Sequence, residues 1–147
     1  MTKDVVNAAE RYGVFFAGLK PEDLHQLADF FAEDARFKDP FNDVRGITAV
    51  RQVFEHMFAH CPAPRFTVHE IIVQGRTAYF HWQFVDRGPG DRGGLGLNVD
   101  GVSRVLFDAK GKVTEHIDYW DAAEHLYARL PVISWLLARI RARISAA

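Results

Sequence analysis

The chain has 147 residues, with 18 Lys and Arg against 19 Asp and Glu and a formal net charge of −1, so no global positive field exists to hold nucleic acid through its phosphates. A hydrophobic share of 48% beside 25% charged residues is ordinary globular usage, which excludes disordered and fibrous classes and suits one domain over residues 1–147. Twelve Phe, three Trp and four Tyr bring the aromatic share to 13%, more flat apolar surface than a minimal core needs and a first sign of a pocket.

The single cysteine, Cys61, can form neither an intramolecular disulfide nor a cysteine-based zinc site, which fits a reducing, cytoplasmic setting. Met1 to Glu10 is charged and lacks the apolar run of a signal peptide. No apolar run reaches the length of about 20 residues that spans a bilayer.

In chain order, Val5, Val6, Ala9, Tyr12, Phe15, Phe16 and Leu19 recur at three and four and predict a first helix over Asp4 to Leu19. Pro21 opens a second, with Glu22 and Asp23 at its positive end and a buried stripe of Leu24, Leu27, Ala28, Phe30 and Phe31. Ala35 to Lys38 reads as a short strand ended by Asp39-Pro40. Gly46 opens a third helix carrying Val50, Val53, Phe54, Met57 and Phe58, which stops before Cys61-Pro62.

After Pro64 the period changes to two. Phe66 to Gln74 and Ala78 to Asp86 read as strands joined at Gly75-Arg76. Six of the eleven glycines fall between Gly88 and Gly101 and predict a loose, exposed hairpin connection. The formal G-x-G-x-x-G from Gly88 to Gly93 is rejected as a dinucleotide site, since no helix follows and Pro89 would spoil its start. Val102 to Phe107 and Val113 to Trp120 form a last hairpin around Asp108 to Gly111, and Asp121 with Glu124 reads as a capping box. A helical tail, 122–147, follows, broken at Pro131. The class is α+β, with helices packed on one face of a curved antiparallel sheet.

Three groups of residues carry chemistry. Asp39, flanked by Phe37 and Phe41, would lose water and gain basicity, as a general base needs; the plainer reading, which carries more weight from this segment alone, is an Asp-Pro turn bonded to nearby amides. His116 and Asp118 point to one face of a strand with Trp120, while Ile117 and Tyr119 point to the other. They read as an acid/base pair or, equally, as a buried polar network. His56 and His60 stack one turn apart on the third helix, but no partner carboxylate is in reach by sequence, so no metal site is expected. In the tail, Ile133, Trp135, Leu136, Leu137, Ile140 and Ile144 give an apolar face beside Arg139, Arg141 and Arg143. Packing on its own domain or on a dimer mate is the preferred use, ahead of a membrane-surface contact.

The runs Asp23-Leu24 to Phe31-Ala32-Glu33-Asp34-Ala35-Arg36-Phe37-Lys38-Asp39-Pro40, Arg45-Gly46-Ile47-Thr48-Ala49-Val50 and Gly111-Lys112-Val113-Thr114-Glu115-His116-Ile117-Asp118 resemble the nuclear transport factor 2-like superfamily, in its SnoaL-like or ketosteroid isomerase-like branch. The resemblance covers nearly everything from Val5 to Asp121. It implies a cone made by a curved sheet and three helices, an apolar pocket inside, and a homodimer formed through the sheet. Asp39 falls where ketosteroid isomerases keep their proton-shuttling aspartate, whereas their oxyanion tyrosine falls at Phe15, their helper phenol at Phe54 and their protonated aspartate at about Ser103. Losing one such donor costs about 10²–10³ in rate, so steroid isomerisation is not expected. Glu115-His116-x-Asp118 instead resembles the polyketide cyclase side, where an aspartate at this place acts as acid/base.

The resemblance therefore implies a cofactor-free enzyme of isomerase, cyclase or epoxide-hydrolase type, acting on a small hydrophobic molecule. Asp118 and His116 would be its acid/base pair and Asp39 a second carboxylate. Tyr12, Phe15, Phe54, Phe58, Phe80, Trp82, Phe84, Ser103 and Trp120 would contact the substrate. The alternative is a non-catalytic carrier of a lipid-like or aromatic ligand whose tail contacts a partner or membrane. A purely structural dimerisation domain would need the cone filled by its own side chains.

Overall fold

The computed structural model describes residues 2–61, 63–86, 97–127 and 130–146. Helix α1 (Thr2–Ala17) buries Val5, Ala9, Tyr12 and Phe16, one stripe at the expected spacing. Chain order continues with a 3-10 helix (Pro21–Gln26), a single turn α2 (Leu27–Phe30), strands β1 (Phe31–Lys38) and β2 (Asp43–Arg45), and helix α3 (Ile47–His60). Gly46 precedes α3 at φ +95°, a conformation that favours glycine, which is how the chain turns from β2 into the helix. Strands β3 (Arg65–Gln74), β4 (Thr77–Val85), β5 (Asn98–Phe107) and β6 (Val113–Tyr119) follow, then α4 (Ala122–His125) and α5 (Pro131–Ile144).

The fold is α+β, with one curved, unclosed sheet in the order β2-β1-β6-β5-β4-β3. The sheet is mixed, not antiparallel throughout: β1 runs parallel to β6, and β2, α3, β3, β4 and β5 lie between them in the chain as the long crossover that a parallel pair needs. The predicted second helix is also shorter than its apolar stripe. Phe31 leaves it to pair with Val113 and is 1% exposed, so burial on the sheet overrides the helical period. Strand β5 starts four residues before the expected Val102, which moves Gly101 out of the loose connection and into the sheet. Gly88 to Gly96, including the rejected glycine motif, lies outside the described residues.

Alternation fixes which face is which. Ala78, Phe80, Trp82 and Phe84 of β4 are buried beneath α1 and α3, while Tyr79 and Val85 are turned outward and exposed. On the outer side Arg36 pairs with Asp43 and Glu115, and Arg104 with Glu115, tying β2, β1, β6 and β5 together. Asp121 caps α4 by accepting from the Glu124 amide at 3.0 Å, half of the predicted capping box. Helix α5 buries none of its residues, so the expected packing of the tail on its own domain is not what the structure shows.

Candidate active site

Strand β6 sets the site. His116 and Asp118, two residues apart, share its inner face, and His116 Nε2 lies 2.7 Å from Asp118 Oδ1. Ser103 of β5 is the register partner of Asp118, and its Oγ donates to the same Oδ1. Trp82 of β4 is paired with Gly101, from where its indole Nε1 donates to Ser103 Oγ at 2.7 Å. From the other layer, the hydroxyl of Tyr12 on α1 reaches His116 Nδ1 at 2.6 Å. Phe37 of β1 stacks on the imidazole with centroids 4.8 Å apart.

Proton bookkeeping gives this network a direction. Burial, with the Asp118 charge adding to it, pushes the Tyr12 pKa well above the usual phenol value, so Tyr12 keeps its proton and donates to Nδ1. With Nδ1 accepting from Tyr12, the imidazole carries a proton on Nε2 and donates it to Asp118. Two donor chains, Tyr12 to His116 and Trp82 to Ser103, therefore converge on Oδ1 of one carboxylate. Among the described residues no donor reaches Oδ2.

Two adjoining cavities meet at this carboxylate. The larger, about 320 Å³, is bounded by Phe37, Asp39, Phe41, Val53, Phe54, Met57, Phe84, Val99, Trp120 and Leu126 among others, and the smaller, about 40 Å³, by Tyr12, Phe16, Phe80, Ser103 and His116. Phe54, Phe66, Trp82 and Asp118 line both. A cavity of about 300 Å³ is at the lower end of those that hold organic ligands. The cone is thus not filled by its own side chains.

Asp39 shares the larger cavity with Asp118. Its Oδ1 accepts from the Phe41 amide at 2.8 Å, the Asn42 amide at 2.7 Å and Asn42 Nδ2 at 3.0 Å, the arrangement of a turn built around a carboxylate. Seven of the nine expected contact residues, Tyr12, Phe54, Phe80, Trp82, Phe84, Ser103 and Trp120, line one cavity or the other. Phe15 and Phe58 line neither: Phe15 stacks on Phe30 at 4.2 Å, to the side of the α1 stripe, and Phe58 packs half-buried against the core. The phenol that enters the site is Tyr12, one turn before Phe15. His56 and His60 have ring centroids 4.2 Å apart on the wall of the larger cavity, and among the described residues no group of three His, Cys, Asp or Glu could hold a metal.

Gly101 and Phe66 are site residues that the sequence reading did not single out. A glycine inside an alternating strand is a signal for close approach, and here a Cβ on Gly101 would lie 2.4 Å from Trp82 Cη2. Cys61 also lines the larger cavity, and burial, with the charge of Asp86 adding to it, pushes its thiol up to about 11. Its alkylation by iodoacetamide is therefore expected to be slow at neutral pH and still to accelerate past the usual thiol range. A rate that levels off at the ordinary thiol pKa would contradict this burial.

Residues 14–116 match the profile of the SnoaL-like domain. Asp118, Trp120 and the tail lie beyond the matched span. No curated protein matches the sequence. Among solved structures the chain is similar to a candidate SnoaL-like polyketide cyclase from Jannaschia, at 18% identity and a TM-score of 0.67, covering 99% of this chain and 94% of that one. A second candidate of the same description, from Shewanella putrefaciens, shows 18% identity and a TM-score of 0.68 over 90% of this chain and 88% of that one. A candidate ketosteroid isomerase from Kribbella flavida shows 20% identity and a TM-score of 0.63 over 82% and 79%.

Proposed function

The chain belongs to the SnoaL-like family, and from that premise we propose that it is an acid/base enzyme of the isomerase or cyclase type that moves a proton next to a carbonyl in a small apolar substrate. The observation that carries this reading is the convergence of two donor chains on Oδ1 of Asp118, with no donor to Oδ2 among the described residues where the two cavities meet. In this reading Asp118 removes a proton from the carbon beside the carbonyl, leaving an enolate, and returns it at another position of the substrate, which restores the carboxylate. His116 and Ser103 hold the carboxylate in one orientation through the cycle, and Tyr12 and Trp82 hold His116 and Ser103. Asp39, bonded within its own turn, fixes the Phe41 loop and gives the cavity a second polar wall. These acid/base steps need only the chain's own side chains. The aromatic walls favour a flat, apolar substrate and keep bulk water from the base.

The test uses 2-tetralone, a flat ketone with acidic protons beside its carbonyl. In deuterated buffer the protein is expected to accelerate exchange of those protons saturably, and the bound ketone is expected to shield Cys61 from iodoacetamide. Shielding without accelerated exchange would favour a carrier over an enzyme.

Two further assignments accompany this reading. Exposed Ile72, Tyr79, Val102 and Tyr119 share the outer face of the sheet, which supports a homodimer formed there; sedimentation equilibrium should give twice the chain mass, and a monomer that persists at high concentration would refute it. The lone cysteine, held as a buried thiol, supports a cytoplasmic location, which fractionation of the source cells would test.

A further inference from the structure

Helix α5 has an apolar stripe that the described residues leave unburied. Ile133, Leu136, Leu137, Ile140 and Ile144 recur at three and four residues along it, and none of them is buried. Ile140 is 45% exposed and Ile144 78%. At 3.6 residues per turn, Arg139 and Arg143 border the stripe on one side and Arg141 on the other. Trp135 stands one turn before Arg139, 60% exposed, with the guanidinium 5.0 Å from its ring.

The charge around the stripe selects what can cover it. From His125 to Ala147 the sequence holds four arginines and no Asp or Glu. Capping of the helix C-terminus accounts for arginine in the last turn, but not for three arginines placed along both borders of an apolar row. A second copy of α5 would set its own arginines against these along one seam, with no carboxylate from either helix to meet them. A phospholipid surface offers what both features need: acyl chains for the stripe, and phosphates at the depth reached by the bordering guanidinium groups. With 14 residues, α5 is about 21 Å long, shorter than the hydrocarbon core of about 30 Å, so it can lie in the interface but not cross it.

We propose that α5 is an interfacial helix that docks the protein on anionic lipid bilayers. Its apolar stripe enters the acyl boundary and its arginines pair with lipid phosphates. The proposal stands apart from the chemistry of the cavity, since no α5 residue lines either cavity.

The test is co-sedimentation of the full chain with vesicles of phosphatidylcholine, alone and mixed with phosphatidylglycerol. Binding to the mixed vesicles is expected to be at least about tenfold tighter than to phosphatidylcholine alone, and to weaken as salt is raised. The double substitution Leu136→Glu with Ile140→Glu should cut binding by about tenfold or more, with the thermal midpoint and 2-tetralone affinity of the parent chain retained. Equal binding to neutral and anionic vesicles, or no sedimentation with either, overturns the proposal. So does a parent chain that ignores vesicles but loses mass on sedimentation when Leu136→Glu and Ile140→Glu are introduced, which would assign the stripe to a second copy.

Discussion

Asp118→Asn is expected to lower proton exchange at saturating 2-tetralone by about 10²–10⁴, the range that a positioned general base contributes, with little change in affinity. The substitution is close to isosteric, and an amide oxygen can still accept from Ser103 and from His116 Nε2, which now hold Oδ1 of the carboxylate. What it removes is the capacity to take a proton. The effect therefore falls on the rate at saturation and not on binding, the pattern of an interaction made only in the transition state. A parallel fall in affinity would mean instead that the carboxylate shapes the cavity. Unchanged exchange would return the site to the plainer reading of a polar network that holds β5, β6 and α1 together.

Gly101→Ala is expected to destabilise the fold by about 1–3 kcal/mol, the usual cost of forcing extra volume into a packed interior. The new Cβ would lie 2.4 Å from Trp82 Cη2, 2.6 Å from Cζ2 and 3.0 Å from Cζ3, and none of those contacts is tolerable for a rigid indole. Either the ring tilts or β4 and β5 part. A tilted ring loses the 2.7 Å bond from Nε1 to Ser103, so the donor chain to Asp118 is broken at its first link. Chemical denaturation should show an earlier midpoint, and exchange should slow as well. Trp82→Phe in the same chain should relieve the clash without restoring the bond, so stability recovers in part while exchange does not. A Gly101→Ala chain as stable as the parent would mean that the ring does not rest on the strand as described.

Much of this was legible from local pattern. The three-and-four spacing placed Tyr12 and Phe16 on one stripe of α1, whereas Phe80, Trp82 and Phe84 were put on the pocket only by the family resemblance, and the structure turns all three inward. The common facing of His116 and Asp118 also followed from their spacing on a strand. What could not be read were contacts set by register between distant segments. The hydroxyl of Tyr12 meets an imidazole 104 residues away, and Ser103 meets Asp118 only because β5 and β6 pair with those two residues opposite. Phe15 shows the limit of periodicity: it belongs to the apolar pattern, yet a step of about 100° per residue turns it aside to Phe30. The boundary between α2 and β1 was lost for a related reason, since Phe31 satisfies a helical stripe in sequence and a strand in the sheet. For α5 the apolar stripe was plain, but whether it packs on the cone is decided by the path of the chain after Trp120.

The central claim is that the carboxylate of Asp118 does chemistry on an apolar ligand held in the larger cavity. Its most direct test compares the parent chain with Asp118→Asn at equal occupancy by 2-tetralone, following proton–deuterium exchange beside the carbonyl and measuring bound ketone in the same samples. The account predicts that the parent chain exchanges at least about 10²-fold faster per bound ketone. Equal rates per bound ketone, or a parent chain that binds the ketone and leaves its exchange at the buffer rate, would contradict it.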